Sequence, residues 1–353
     1  MTPEQFSKLE NSIENLKSNN SKIYFIVQDT KGNAKASISY IYRMAKALEL
    51  SGLKPIMLHE TPNYTGVREW LGDEYADLPH QSIEGQQLEV SPEDFIVIPE
   101  LYSFVMEQIK QLPCGKIVLS QSHDNVFETL NPGQTWQQFG FHKCITTSEK
   151  QKEFLTNTFR NLSVDIIEPV ISETFKPYDK PAKPFIAIHS REQRDSINII
   201  KQFYIKFPQY RWVTFKDMRG LSEVEFGAAL QDCCLSVWID ENSSYGTYPL
   251  ESMKCGVPVL GLVPNMLPTW MNEKNGFWVN NKLDILDLIA DYIQNWLEDG
   301  VSDELFSEIK NTVSELPSVD TFNENVTKLF KSYLKTRLES FETQASKLQT
   351  IEE

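Results

Sequence analysis

Residues 243–261 read Ser-Ser-Tyr-Gly-Thr-Tyr-Pro-Leu-Glu-Ser-Met-Lys-Cys-Gly-Val-Pro-Val-Leu-Gly. Their types and spacing predict a loop, a short helix and a strand. Ser243 and Tyr245 fall in the loop, and Gly246 lets the backbone approach a ligand closely. Thr247 is suited to cap the helix, Tyr248 follows it, and Pro249 is tolerated in the first turn. Gly256 ends the helix, after which residues 257–262 enter a sheet. The free N–H groups of such a helix start, with the helix dipole behind them, make a site for an anion such as a diphosphate. Glu251 lies one turn further on, where a carboxylate accepts hydrogen bonds from ribose hydroxyls.

Other polar groups close apolar runs elsewhere. Residues 116–124 read Lys-Ile-Val-Leu-Ser-Gln-Ser-His-Asp, a strand that ends at His123. In that place a histidine either hydrogen-bonds a sugar hydroxyl or a phosphate, or caps its own turn. Residues 185–194 close on His-Ser-Arg-Glu-Gln-Arg, which puts Arg191 and Arg194 just past a strand. A guanidinium there either clamps phosphate bidentately or joins an exposed Arg–Glu cluster. Residues 29–36, with Gly32 and Asn33, form a small-residue loop whose spacing matches neither a Walker nor a dinucleotide fingerprint.

The elements that must hold these groups alternate. Apolar, β-branched runs at 22–28, 54–58, 95–99, 116–120 and 144–147 predict strands, with a helix over 37–50. Pro169, Pro177, Pro181 and Pro184 then crowd one polar stretch and mark an interdomain linker over 169–184. Beyond it strands are expected at 185–189, 211–215, 235–239 and 257–262, and helices at 196–207, 284–297 and 323–341. Strands separated by helices pair in parallel, so each half is a doubly wound α/β domain with ligands at the carboxyl ends of its strands. The tail after residue 342 is polar and is expected to fray.

Length and composition agree with two globular domains: 353 residues, 41% hydrophobic and 24% charged. A net charge of -15 argues against broad electrostatic binding to duplex nucleic acid or to an anionic membrane. Cys114, Cys144, Cys233, Cys234 and Cys255 are odd in number, lack metal-ligand spacing and read as small buried hydrophobes, which fits a reducing cytoplasm. The first twenty residues lack the basic start and apolar stretch of a signal peptide. Phe6, Leu9, Ile13 and Leu16 make one helical stripe, and Glu4, Glu10 and Glu14 favour docking on the first domain over a membrane surface. Stable membrane insertion is not expected, since no run approaches 18 apolar residues.

Leu250, Glu251, Met253, Gly256, Pro258 and Val259, followed by Asn275-Gly276-Phe277, resemble the donor-site signature of the "glycosyl transferases group 1" family of GT-B enzymes. The resemblance covers roughly residues 20–300 and is strongest in the second half. It implies two Rossmann-like domains facing each other across a cleft: an acceptor domain over 1–175, a donor domain over 176–320, and a final helix with a polar tail over 321–353 that crosses back to the first domain. It implies a hexosyl- or pentosyltransferase that takes sugar from a nucleotide-sugar co-substrate, with retention, without a metal and without another cofactor. By the same resemblance Arg191 faces the donor diphosphate and Arg194 replaces a lysine whose usual position holds Ser196. His123 stands in the cleft, while Gly32 and Asn33 belong to a loop near the acceptor and the departing phosphate. Ser243, Tyr245, Gly246, Thr247, Tyr248 and Glu251 form the donor site, with Ser243 where the family carries a carboxylate that contacts the donor sugar. Rival readings are a GT-B epimerase or phosphorylase, and a protein that binds nucleotide sugar without turning it over. The acceptor stays open among a glycan, a lipid-linked sugar and a modified DNA base.

Overall fold

Apolar runs of four to eight residues are too short for buried helices, and every strand pairing they make is parallel. The structure, a computed structural model, describes residues 3–84, 88–177 and 182–352. Among these, seven strands form a first sheet: β1 (Lys22–Ile26), β2 (Lys54–His59), β3 (His80–Ser82), β4 (Phe95–Pro99), β5 (Gly115–Ser120), β6 (Lys143–Thr146) and β7 (Ser163–Ile166), in the order β3-β2-β1-β4-β5-β6-β7. Five more form a second: β8 (Lys183–Ser190), β9 (Thr214–Asp217), β10 (Cys233–Ile239), β11 (Val259–Leu262) and β12 (Phe277–Val279), in the order β12-β11-β10-β8-β9. Every residue of β4 and of β10 is buried, as continuous apolar strands covered on both faces must be.

Helices cover both sheets. Around the first lie α1 (Pro3–Lys17), α2 (Ala36–Leu50), α3 (Asp73–Ala76), α4 (Ser103–Gln108) and α5 (Glu149–Thr158). Around the second lie α6 (Gln193–Lys206), α7 (Glu223–Gln231), α8 (Thr247–Lys254), α9 (Ile285–Asp299) and α10 (Asp303–Ser314). The long α11 (Val319–Glu352) packs Phe322, Val326, Phe330 and Phe341 into the core of the first sheet. Tyr333 Oη donates to Asp165 (2.6 Å) and Arg337 Nη2 donates to the carbonyls of Pro92 and Pro113 (both 2.6 Å).

Strand order reverses beside β1 in the first sheet and beside β8 in the second. Chain connections leave in opposite directions at such a point and open a crevice past the strand ends. The loops after β1 and β4 therefore flank one crevice, and those after β8 and β10 flank the other.

Several expectations need correction. The last helix is longer than the expected 323–341: α11 continues to Glu352, with Ala345 and Leu348 against the core. The strand expected at 211–215 starts only at Thr214, because Pro208–Tyr210 forms a 3-10 turn. Edge strands β3, β7 and β12, of three or four residues, were not foreseen. The expected linker lies between β7 and β8, and of its prolines Pro181 falls outside the described residues, with 178–180. The five cysteines are buried and unpaired.

Candidate active site

The two crevices face each other and enclose one cleft with two lobes. A lobe of about 630 Å³ is lined by Arg43 and Trp70 of the first half and by Arg219, Glu223, Thr247 and Glu251 of the second. A neighbouring lobe of about 490 Å³ is lined by Glu100, Tyr102 and Gln121 of the first half and by Ser243, Tyr245 and Gly246 of the second. Lys35, Ser37, Tyr40, Pro169, Arg191 and Thr247 line both, so the lobes adjoin.

The start of α8 forms one wall. Gly246, not Thr247, is the N-cap, with φ +76° in the left-handed region; Thr247 is the first helical residue. A Cβ at Gly246 would lie 3.1 Å from Trp238 Cη2 and 3.2 Å from Trp270 Cζ2, so both conformation and space require glycine there. Trp270 Nε1 donates to the Tyr245 carbonyl (2.6 Å) and holds the loop. Behind it Ser236 Oγ donates to Tyr248 Oη (2.9 Å), which buries that tyrosine and leaves its ring face stacked on His189 at 4.6 Å and 20°. No side chain caps α8, and its first two residues, Thr247 and Tyr248, line the larger lobe.

Cations stand opposite. Arg191, past the end of β8, donates from Nε to Asp240 Oδ1 (3.1 Å) and lies 3.6 Å from Asp124 of the first half. Arg219, past β9, donates from Nε to Asp217 Oδ1 (2.8 Å). Lys35 is exposed at the start of α2. Arg43, on the second turn of α2, reaches across to Glu223 with only 10% of its side chain exposed. Preorganised positive charge of this kind stabilises an anion more strongly in a closed cleft than in water.

Two carboxyls in the cleft carry the mark of burial, and a third beside it that of its partner. Glu251 is pushed up to about 8, by burial first and by Glu223 second, with Arg43 opposing. Glu100 is pushed up to about 7 by burial, against the N–H groups of Gln121 (3.1 Å) and Ser122 (3.0 Å) that it accepts. Asp217, beside Arg219, is held below its ordinary value by that hydrogen bond. His189 is pushed down to about 4 by burial, so it is neutral at neutral pH; its Nδ1 is buried without a hydrogen-bond partner.

The sequence-expected residues divide. Arg191, Thr247, Tyr248 and Glu251 line the larger lobe with Asn33; Ser243, Tyr245 and Gly246 line the smaller. Gly32 has φ +80° but lines neither lobe. Arg194 is exposed on the first turn of α6 and also lies outside both linings. His123 lines neither lobe: its backbone N–H donates to Ser244 Oγ (2.8 Å) and its Nδ1 shares a second hydrogen bond with the same oxygen (2.9 Å). With Ser122 Oγ donating to the Asn242 carbonyl (3.2 Å), it ties the first half to the loop between β10 and α8. Ser196, in the lysine's usual place, is buried and hydrogen-bonded to Ser190 (2.5 Å).

Lys35, Arg43, Glu100, His189, Arg219 and Glu223 were missed as cleft residues. A signal existed for Glu100, His189 and Arg219, which close or follow apolar strands. Arg43 had none, since a mid-helix arginine reads as a solvated face until the opposite domain is placed.

No family model matches the chain. The alpha-1,6-glucosyltransferase of Actinobacillus pleuropneumoniae serotype 7 is 23% identical over 184 residues, 51% of this chain and 56% of that protein. The chain thus spans about half the length of this relative. Among solved structures, sucrose-phosphate synthase from Thermosynechococcus elongatus is similar with a TM-score of 0.64 at 14% identity, over 90% of this chain and 100% of that one. The pneumococcal O-GlcNAc transferase GtfA, in complex with UDP and GlcNAc, gives 0.61 at 10%, over 90% and 99%. Anabaena HepE, in complex with UDP-glucose, gives 0.60 at 14%, over 88% and 99%. Its two facing parallel sheets and these likenesses identify the chain as having a GT-B fold.

Proposed function

We propose that the chain is a glycosyltransferase that takes a sugar from a nucleotide-sugar donor. The observation that carries this reading is the cleft itself, where the uncapped start of α8 and Arg191 face one space that opens into a second lobe. The larger lobe takes the nucleotide, with its diphosphate between the amides of Thr247 and Tyr248 and the Arg191 guanidinium. Glu251 takes the ribose hydroxyls. The smaller lobe, lined by Ser243, Tyr245 and Gly246, takes the donor sugar with the acceptor beside it, so Arg191, shared by both lobes, stands where the bond to the sugar breaks. Negative charge grows on the diphosphate as the sugar leaves, and a fixed cation there lowers the barrier rather than only tightening the ground state. In this scheme arginines and helix amides hold the departing diphosphate, without a metal, and the sugar is transferred with retention.

Support comes from the shared fold, from HepE and GtfA having been solved with UDP-glucose and with UDP, and from the partial likeness to a glucosyltransferase. A glycan, a lipid-linked sugar and a modified nucleobase remain the acceptor classes. Thermal-shift and calorimetric titration with UDP, GDP and ADP, followed by turnover of the matching nucleotide glucose, tests the reading. Binding of a nucleoside diphosphate with sugar transfer supports it; no binding of any of the three overturns it. One observation favours a second reading, a protein that binds nucleotide sugar without turnover: Ser243 replaces the expected carboxylate in the smaller lobe. Tight binding with no nucleotide release in a single turnover would select that reading.

A further inference from the structure

Residues 122–124, just past β5, reach across to the second half one after another. Ser122 Oγ donates to the Asn242 carbonyl (3.2 Å), the N–H and the ring of His123 meet Ser244 Oγ (2.8 and 2.9 Å), and Asp124 lies 3.6 Å from Arg191. The segment is anchored in its own half. Glu100 Oε1 accepts the N–H groups of Gln121 and Ser122, and the Gln121 side-chain amide donates to the Ser37 carbonyl (3.2 Å). From the other side, Asp240 accepts the Asn242 N–H (3.0 Å) and Trp270 donates to the Tyr245 carbonyl (2.6 Å). The two residues that flank Ser243 are thus the ones that the first half grips. Ser243 and Ser244 line the smaller lobe, as do Gln121 and Ser122 of the first half.

We infer that His123 is a positioning residue of the sugar subsite: through Ser244 Oγ it fixes the loop that carries Ser243, so the subsite is complete only while the two halves are joined. This rests on the reading of the smaller lobe as the place of the donor sugar. The hydrogen bonds show how the histidine acts. Ser244 Oγ accepts the His123 N–H with one lone pair. The serine is 2% exposed, so its own hydrogen needs an acceptor, and His123 Nδ1 is the one it meets at 2.9 Å. The hydroxyl therefore donates to Nδ1, which leaves the ring's hydrogen on Nε2. Burial lowers His123 from its ordinary value, so the ring is neutral near pH 7 and Nδ1 keeps the lone pair that this bond needs. The Phe154 ring, 6.1 Å away and inclined at 85°, packs against the imidazole and holds its plane.

Different consequences separate this role from two others. A histidine that touched the sugar itself would do so with Nε2, because Nδ1 is taken by Ser244. A bridge that only joined the halves would weaken nucleotide and nucleotide sugar alike, or neither. A hold on the Ser243 loop acts on the sugar alone, since the nucleotide contacts assigned to Tyr248 and Glu251 lie in the larger lobe. His123→Ala should therefore leave nucleoside diphosphate binding within about twofold and weaken the nucleotide glucose by about fivefold, the effect of one lost hydrogen bond. Asparagine carries an oxygen acceptor near the place of Nδ1, and glutamine carries one near the place of Nε2. His123→Asn should recover most of the loss and His123→Gln little of it. Ser244→Ala should cost at least as much as His123→Ala, and the double variant should be no worse than Ser244→Ala alone, because both act through one contact.

The experiment is calorimetric titration of the full chain and these variants at pH 7 with UDP, GDP and ADP, and then with the matching nucleotide glucose, with thermal melts to establish that each variant is folded. A loss confined to the nucleotide glucose, recovered by His123→Asn and not by His123→Gln, supports the assignment. Recovery by His123→Gln instead, equal weakening of both ligands, or no change in either overturns it. Should His123→Ala not fold, the comparison of His123→Asn with His123→Gln still decides, because only the first keeps an acceptor for Ser244. A wild-type chain that binds none of the three diphosphates would instead overturn the reading of the cleft as a donor site.

Discussion

Replacing Glu251 by glutamine should make the protein more stable and a poorer binder at once. The Glu251 carboxyl titrates near 4.5 when ordinarily solvated and at about 8 in the folded chain. The folded state therefore takes up a proton between these values that the unfolded state does not. Stability attached to this group is fully present below about pH 4.5 and is lost as the pH rises through about 8. Each tenfold change in proton affinity corresponds to about 1.4 kcal/mol, which sets a ceiling of roughly 3 kcal/mol at pH 7. The amide has the same shape and no charge, but it still needs hydrogen-bond partners in a half-buried place, so about 1–2 kcal/mol should be realised. At roughly 2–4 °C per kcal/mol for a chain of a few hundred residues, the variant should melt about 3–6 °C higher at pH 8.5. The difference should shrink toward zero at pH 4.5. Melting curves by circular dichroism at pH 4.5, 7 and 8.5 measure it, and UDP titration of the same samples should show weakened binding. A variant that melts lower than the parent at pH 8.5, or a difference independent of pH, would refute the reasoning and make Glu251 an ordinary structural acceptor.

Arg191→Ala should lower kcat more than it raises KM, because a cation beside the leaving diphosphate acts chiefly on the transition state; a rise in KM alone, in steady-state kinetics with the identified donor, would assign it uniform binding instead. Gly246→Ala should cost about 1–3 kcal/mol and weaken nucleotide binding, since it forces a side chain into the left-handed region against Trp238 and Trp270; unchanged melting and affinity would show that the turn yields. Phe330→Ala, on α11, should cost about 3–5 kcal/mol in urea unfolding, since its ring is fully buried in the core of the first sheet; a loss below about 1 kcal/mol would mean that α11 is not integral to that core.

What could be read beforehand follows from what neighbours in sequence determine. Long apolar strands such as β4 and β10 are written in contiguous residues, and so is the turn into α8, where Gly246 and the Leu250–Glu251 spacing carry the signal. The N-cap was misplaced by one residue because Thr247 is the better cap by type. The chain uses Gly246 instead because two tryptophans leave room for nothing larger. Edge strands of three residues, such as β3 and β12, are set by pairing with β2 and β11 rather than by their own pattern. His123 carries a legible strand-end signal, yet its partner, Ser244, comes from the other half, 121 residues away. Arg43 and Glu223 are 180 residues apart and could be joined only once both sheets were placed.

The most direct test of the central claim is a crystal structure of the chain soaked with UDP. The expected result is a diphosphate between the amides at the start of α8 and the Arg191 guanidinium, with the ribose at Glu251 and the Asp240 contact of Arg191 loosened or shared. UDP bound only to the loops of the first sheet, with Arg191 and Glu251 untouched, would contradict it.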